Sequence, residues 1–281
     1  MSNVRKTWLI TGASSGFGHA FATYALAQGH NVVATARSVS RLETFVAQAP
    51  DRVLAQKLDV ERPGDAQAAV DATLARFGRI DVLINNTGYG IVGAVEETSE
   101  QELRAVMETN FFGAIAVTRA ALPVLRAQRF GAIVNISSLG GQLSFPGFGP
   151  YSASKFALEG YSETLAMEVR AFNVHVTLVE PGDFRTGFTV KRRHVSLDAM
   201  DADYREPFEE TITAVAQSEM DAPEPHRVAE LVASILDDPA PKIRYPIGSP
   251  HRIAYVTRDL LAKAEVVKAA VPALKDREQR S

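Results

Sequence analysis

From its start to about residue 180 the chain alternates short β-branched runs with stretches of helical period. Val82-Leu83-Ile84 and Ala132-Ile133-Val134 are apolar at every position. A strand with one face in water would alternate, whereas a parallel strand covered on both faces does not. The pattern predicts strands near 7–11, 31–36, 53–58, 80–85, 131–137 and 174–180. Helices are expected between them, near 16–29, 39–48, 63–77, 100–128 and 151–172. Repeated β-α-β units with right-handed crossovers give an α/β fold, a doubly wound parallel sheet of Rossmann type with helices on both faces.

After Pro181 the rhythm breaks. Residues 182–225 carry charge clusters and aromatics without a clear strand, and a loop-and-helix excursion is expected there. Helical spacing returns near 226–238, a seventh strand is expected near 242–246, and about 264–281 reads as a helix giving way to a polar tail. With no internal repeat, low-complexity stretch or linker, residues 1–281 are expected to form a single domain.

Composition narrows the chemistry. The chain has 281 residues, 46% hydrophobic and 22% charged, ample for a buried core. A net charge of −3 lacks the basic footprint that phosphate backbones require, so no nucleic-acid partner is expected. The absence of cysteine excludes disulfides, thiolate nucleophiles and cysteine–zinc sites. No pair of histidines has metal-ligand spacing, so no catalytic metal is expected. Met1 to Lys6 lead into Thr7-Trp8-Leu9-Ile10 without a signal-peptide core, and no apolar run approaches the roughly 18 residues of a membrane span. A soluble, cytoplasmic protein with no membrane partner is the expectation.

The first strand runs into Thr11-Gly12-Ala13-Ser14-Ser15-Gly16-Phe17-Gly18, followed by a helix. Gly12 can take the tight turn, Gly16 lets backbone approach a pyrophosphate, and Gly18 lets the helix pack on the sheet. The helix N-terminus then receives negative charge. Placed at the first strand–turn–helix, this pattern points to a dinucleotide, with Ser14, Ser15 and Phe17 expected at the same site. An NAD site usually places an acid at the end of the second strand, on the ribose 2′-hydroxyl. Here that position is Ala36, and Arg37 follows. An arginine can pair with a 2′-phosphate through charge-assisted bonds, so NADP(H) is favoured. The plainer reading is that Arg37 solvates the strand end.

Tyr151-Ser152-Ala153-Ser154-Lys155 follows Pro150, which presets the first turn of a helix. Positions i and i+4 share a face, so Lys155 stands beside Tyr151. A phenol titrates near pH 10, and a neighbouring ammonium stabilises its phenolate. Such a tyrosine can give a proton to a carbonyl oxygen or take one from an alcohol. Seven tyrosines and eight lysines make about 0.2 such pairs expected by chance, so the pair alone says little. Ser138 strengthens it. It ends the strand Ile133-Val134-Asn135-Ile136-Ser137-Ser138, at the sheet edge where ligands bind.

The glycine turn and the Ser138–Tyr151–Lys155 spacing resemble the short-chain dehydrogenase/reductase family, over about residues 5–190. The resemblance implies reversible hydride transfer between NADP(H) and a carbonyl or alcohol, with Ser138, Tyr151 and Lys155 catalytic. It implies that Asn110 completes a tetrad by holding a water that relays protons to Lys155. It places Asp59 and Val60 at the adenine, Asn86 and Gly88 along the cofactor, and Pro181, Gly182 and Thr186 near the nicotinamide. Tyr151 and Lys155 would touch the cofactor as well. For Asp59 a strand-end cap is an equal alternative. A homodimer or homotetramer through the helices near 100–128 and 151–172 is usual for such proteins.

Two features stay open. Lys191-Arg192-Arg193-His194 can meet an acidic substrate or be a solvated loop, the commoner fate of a charge run. Phe145, Phe148, Phe184, Phe188, Tyr204 and Phe208 can wall a pocket for a bulky apolar ketone or aldehyde (steroid-like, terpenoid or aryl) or simply pack a core. Other functions fitting the motifs are a cofactor-retaining epimerase or dehydratase, and a catalytically silent nucleotide sensor. His175, within Val174-His175-Val176, is read as a packing or edge residue.

Overall fold

The computed structural model describes residues 4–144, 146–188, 193–194, 201–205, 208–209, 213, 217 and 222–248. The expected C-terminal helix near 264–281, Phe145, Lys191 and Arg192 lie outside the described residues. Seven parallel strands form one sheet: β1 (Thr7–Ile10), β2 (Asn31–Ala36), β3 (Val53–Lys57), β4 (Val82–Asn85), β6 (Gly131–Ile136), β7 (Val174–Pro181) and β9 (Arg244–Ile247). Their order is β3-β2-β1-β4-β6-β7-β9. Every residue of β1 and β4 is buried, as the continuous apolar runs predict.

Helices cover both faces. On one, α1 (Gly16–Ala27), α2 (Glu43–Gln48) and α7 (His226–Asp237) bring Phe21, Phe45 and Val232 into a core with Trp8, Val134 and Val179. On the other, α3 (Asp65–Phe77), α5 (Gly113–Gln128) and α6 (Gly149–Val169) bury Val70, Leu125 and Leu165 against Leu9, Leu83 and Ile133. The chain reverses its direction of travel across the sheet between β1 and β4, which opens a crevice at their carboxyl ends.

The sequence reading differs from the structure in places. The fourth strand begins at Val82 rather than residue 80. Asp81 is buried and accepts the Thr7 N–H at 2.8 Å, with Arg79 neutralising it, so the segment before Val82 anchors β1 instead of extending β4. The seventh strand starts two residues later than expected and ends one later, at Arg244–Ile247. The single helix expected over 100–128 is three pieces: α4 (Glu100–Met107), a π-helical turn (Glu108–Phe112) and α5. Within 182–225 a strand does occur: β8 (Arg193–His194) pairs in parallel with β5 (Ile91–Val92). Two-residue strands carry too little periodicity to be seen in a sequence. No helix among the described residues is long and apolar enough to cross a membrane.

Candidate active site

Thr11 joins the two walls of the crevice. Its hydroxyl donates to Ile84 O at 3.3 Å and accepts the N–H groups of Asn86 and Thr87 at 2.8 and 3.0 Å. Asn86 Nδ2 returns bonds to the carbonyl oxygens of Thr11 and Gly12, at 2.9 and 3.3 Å. Gly12, at φ +68°, takes the left-handed turn that a side chain would strain. A Cβ on Gly18 would lie 2.3 Å from Gly12 O, so nothing larger than glycine lets α1 sit this close to the turn.

The start of α1 is left open to an anion. Ser15, the N-cap, makes no capping bond with its side chain, and the first turn holds no acid. Ser14 is half-buried and Ser15 exposed at this end. Arg37 is exposed where β2 ends, with no hydrogen bond or ion pair to another described residue. These features fit a dinucleotide: backbone could approach a pyrophosphate, the helix N-terminus would face it, and the Arg37 cation would be available beyond the end of β2. Thr186 comes over the turn, its Cβ 3.4 Å from where a Cβ of Gly16 would lie. Gly182 donates to Ile247 O at 2.8 Å, fixing the chain after Pro181.

Not every expected cofactor residue faces the crevice with its side chain. Phe17 packs edge-on against Phe184 at 5.4 Å. Val60 is buried, close enough to α5 that a Cβ on Gly113 would fall 2.6 Å from its Cγ2. Asp59 accepts the Glu61 N–H at 3.3 Å, so one carboxylate oxygen does serve as a strand-end cap.

Across the crevice, Ser138 follows β6 and its hydroxyl accepts the Gly140 N–H at 3.0 Å while donating to Pro181 O at 3.4 Å. Tyr151 lies in the first turn of α6, behind Pro150. A Cβ on Gly140 would be 3.3 Å from both Ser138 Oγ and Tyr151 Cε1, so the two side chains flank one glycine. Lys155 follows one turn later, 5% exposed. Its Nζ donates to Ile136 O at 2.8 Å and stands 5.8 Å from the Tyr151 ring centre. Burial pulls the ammonium down to about 8, opposed by the charge of Glu159.

Asn110 sits in the π-helical turn, buried. Its Oδ1 accepts the Tyr89 N–H at 2.9 Å, and its Nδ2 donates to Tyr89 O at 2.9 Å and to Ser154 Oγ at 3.0 Å. Ser154 in turn donates to Tyr151 O at 2.6 Å. The side chain that the resemblance makes a water holder is therefore engaged in bracing the segment after β4 against α6. Gly88 lies in that segment; its Cβ would be 3.1 Å from Asn110 Oδ1 and 3.6 Å from Lys155 Nζ.

The aromatic residues divide. Phe188 packs beside Tyr151, ring centres 5.7 Å apart. Phe208 packs on Ala94 and meets Tyr204 edge-on at 6.1 Å, and Gly147 presses against it. Phe148 is buried next to the start of α6. Phe184 belongs to the core below α1, packed edge-on with Phe17, so of the two readings open for it the structure gives core packing.

Sequence reasoning missed a buried polar cluster behind Lys155. Gln142 Nε2 donates to Glu159 Oε2 at 2.9 Å and to Glu180 Oε1 at 3.0 Å. Arg244 Nε reaches the same two oxygens, at 2.9 and 3.3 Å. A glutamate inside the apolar strand Val176-Thr177-Leu178-Val179-Glu180 was the available signal.

The sheet order and the glycine-lined crevice define a Rossmann-type dehydrogenase fold. The chain belongs to the short chain dehydrogenase family, whose profile matches residues 6–196. It is 41% identical over 240 residues to a 3-ketodihydrosphingosine reductase of Bacteroides thetaiotaomicron, covering 85% of this chain and 87% of that protein. A crystal structure of a short-chain dehydrogenase from Streptomyces avermitilis superimposes with a TM-score of 0.86 at 39% identity, covering 97% of this chain and 98% of that one. A Burkholderia phymatum member in complex with NAD gives 0.79 at 26% identity, covering 94% and 96%. The chain is thus an oxidoreductase of a family that uses nicotinamide cofactors.

Proposed function

We propose that this chain reduces a bulky apolar ketone or aldehyde with NADPH, reversibly, at the cluster of Ser138, Tyr151 and Lys155. The observation that carries the reading is the juxtaposition of Ser138 Oγ and Tyr151 around Gly140, with the buried Lys155 ammonium 5.8 Å from the Tyr151 ring. The bound cofactor would supply the hydride.

The chain's own groups supply the rest. Ser138 lies at a strand end, where its hydroxyl can donate to the substrate oxygen and hold it against the phenol. Tyr151 gives its proton to that oxygen during reduction and takes one back during oxidation. Lys155, fixed by Ile136 O, stabilises the phenolate that remains. Asn110 keeps the loop carrying Gly88 in place through its bonds to Tyr89 and Ser154. Gly12, Ser14, Ser15, Gly16, Phe17 and Gly18 form the dinucleotide cradle, Asn86 and Gly88 its inner wall, and Pro181, Gly182 and Thr186 its nicotinamide end. Asp59 and Val60 flank the adenine, Val60 through its backbone.

Arg37 supports NADP(H) over NAD because its exposed guanidinium directly follows Ala36, the position where an NAD site carries an acid. Phe188 and Phe208 support an apolar substrate, and the name of the Bacteroides relative is that of a reductase acting on a ketone. Exposed Leu103, Phe156 and Met167 on α4 and α6 support assembly as a homodimer or homotetramer. Fluorescence titration with NADPH and NADH tests the cofactor, and a ketone panel scored by NADPH oxidation tests the chemistry. Tyr151→Phe is expected to abolish turnover while leaving NADPH binding nearly intact. Undiminished turnover by that variant would overturn the assignment of Tyr151.

A further inference from the structure

Tyr151, Lys155, Glu159 and Glu163 recur every four residues along α6, so one helical face carries the phenol, the ammonium and two carboxylates in file. The third member is buried. Glu159 is 4% exposed and Glu180, facing it from β7, is 2% exposed. An isolated carboxylate at such depth is costly, and two together cost more unless a cation or a proton compensates. One cation is present: Arg244, on β9, bonds to Glu159 and Glu180 and reaches the half-exposed Glu163 at 2.7 Å. Gln142 adds a donor to both buried carboxylates.

The cluster is seated directly behind the proposed acid–base pair. A Cβ on Gly141 would lie 3.2 Å from Lys155 Cβ, 3.2 Å from Glu159 Cγ and 2.7 Å from Ser137 Oγ. The turn that carries Ser138 thus presses its backbone between the lysine and the glutamate. Among the described residues, Glu159 is the charge that opposes the desolvation of the Lys155 ammonium. Around Glu159 stand Lys155 and Glu163 from α6, Glu180 from β7, Arg244 from β9, Gln142 and Gly141 from the turn, and Ser137 after β6.

We propose that Glu159 is the buried counter-charge of Lys155, and so a positioning residue for the Tyr151–Lys155 pair. Gln142 and Arg244 hold it as a carboxylate, while Glu180 carries the compensating proton. Burial pushes both carboxyls up; Ser137, Arg244 and Gln142 oppose this at Glu159, and Arg244 and Gln142 oppose it at Glu180 too, where the repulsion of Glu159 adds to burial and brings the group to about 8. Near neutral pH the buried set then holds two cations, Lys155 and Arg244, against Glu159 inside and Glu163 at the rim. Removing the Glu159 charge makes proton loss from the tyrosine–lysine pair easier, whichever of the two releases it.

This inference rests on the proposed roles of Tyr151 and Lys155, but its test needs no turnover. The Lys155 ammonium is titrated by NMR in the full chain labelled with 13C at lysine Cε, the signal being assigned through Lys155→Arg. Glu159→Gln is expected to lower the titration midpoint by about one pH unit. Glu180→Gln, which alters the same bonds to Gln142 and Arg244 but removes no charge acting on the Lys155 ammonium, is expected to leave it within about 0.3 unit. Glu159→Asp keeps the charge and is expected to track the parent. An unmoved midpoint in Glu159→Gln, or equal shifts in both Gln variants, overturns the proposal, since a purely structural cluster would treat them alike. Should Glu159→Gln fail to fold, carboxyl 13C shifts of the unaltered protein at pH 7 decide: Glu159 ionised and Glu180 protonated supports it, and both neutral overturns it.

Discussion

Asn110 and the Tyr89 backbone exchange two bonds, Oδ1 accepting the N–H and Nδ2 donating to the carbonyl, each at 2.9 Å. The side chain does for the loop after β4 what a neighbouring strand would do, pairing both main-chain groups of one residue. It also ties that loop to α6 through Ser154. Asn110→Ala would leave the Tyr89 groups without these partners in a half-buried setting. A loss of roughly 2–4 kcal/mol in stability is expected, from a cost of 1–3 kcal/mol for each orphaned group. Urea unfolding checks it; a loss below about 0.5 kcal/mol would mean that the loop finds other partners.

Two glycines separate close approach from mere conformational freedom. Gly18→Ala places a methyl 2.3 Å from Gly12 O and is expected to cost several kcal/mol and to abolish dinucleotide binding. Gly160, exposed on α6, has nothing within 4 Å of its missing Cβ. Gly160→Ala is therefore expected to stabilise the protein by about 0.5–1 kcal/mol, as helix propensity predicts. Thermal melts of both variants, with dinucleotide titration of the first, distinguish the cases.

Arg37 is the exposed cation at the end of β2. Arg37→Ala is expected to weaken NADPH binding about tenfold while leaving NADH binding unchanged, since a charge-assisted bond to phosphate contributes roughly 1.5–3 kcal/mol when well ordered. Paired fluorescence titrations measure it. Equal losses for the two cofactors would assign Arg37 to something other than the 2′-phosphate.

Stability should pass through a minimum near pH 8. Glu180 is raised to about 8 by burial, so above its ordinary range the unfolded chain has released a proton that the folded chain retains. Ionisation therefore favours unfolding, and stability falls from about pH 5 to 8. Lys155 is lowered to about 8, so above that the unfolded chain holds a proton that the folded chain has lost, and stability rises until about pH 10. Each limb is expected to span roughly 1–3 kcal/mol. Glu180→Gln should flatten the acid-side fall in urea melts, and an unchanged slope in that variant would refute its cause.

The parts of the site built on local geometry were legible. Tyr151 and Lys155 share a helical face, Ser138 ends a strand, and the glycine turn joins a strand to a helix; each follows from spacing along one or two elements. What was hidden depends on contacts between distant segments. The π-helical turn at Glu108–Phe112 is invisible because the apolar spacing runs through it as through a regular helix. Glu159 and Glu180 read as charges that belong outside, and their partner Arg244 lies 64 and more residues away in sequence. Phe184 and Phe188, four residues apart, parted to core and active site because the chain turns between them.

The π-helical turn gives the chain between Ser99 and Gln128 one more residue than two regular helices over the same path would need. Removing a residue from this stretch would restore the ordinary winding and rotate Asn110 about 100° around the axis, away from Tyr89. Length here acts as a phase setting for the candidate active site. Insertions and deletions in 100–128 should therefore be tolerated far less than a surface helix would suggest, and any that survive should come in compensating pairs.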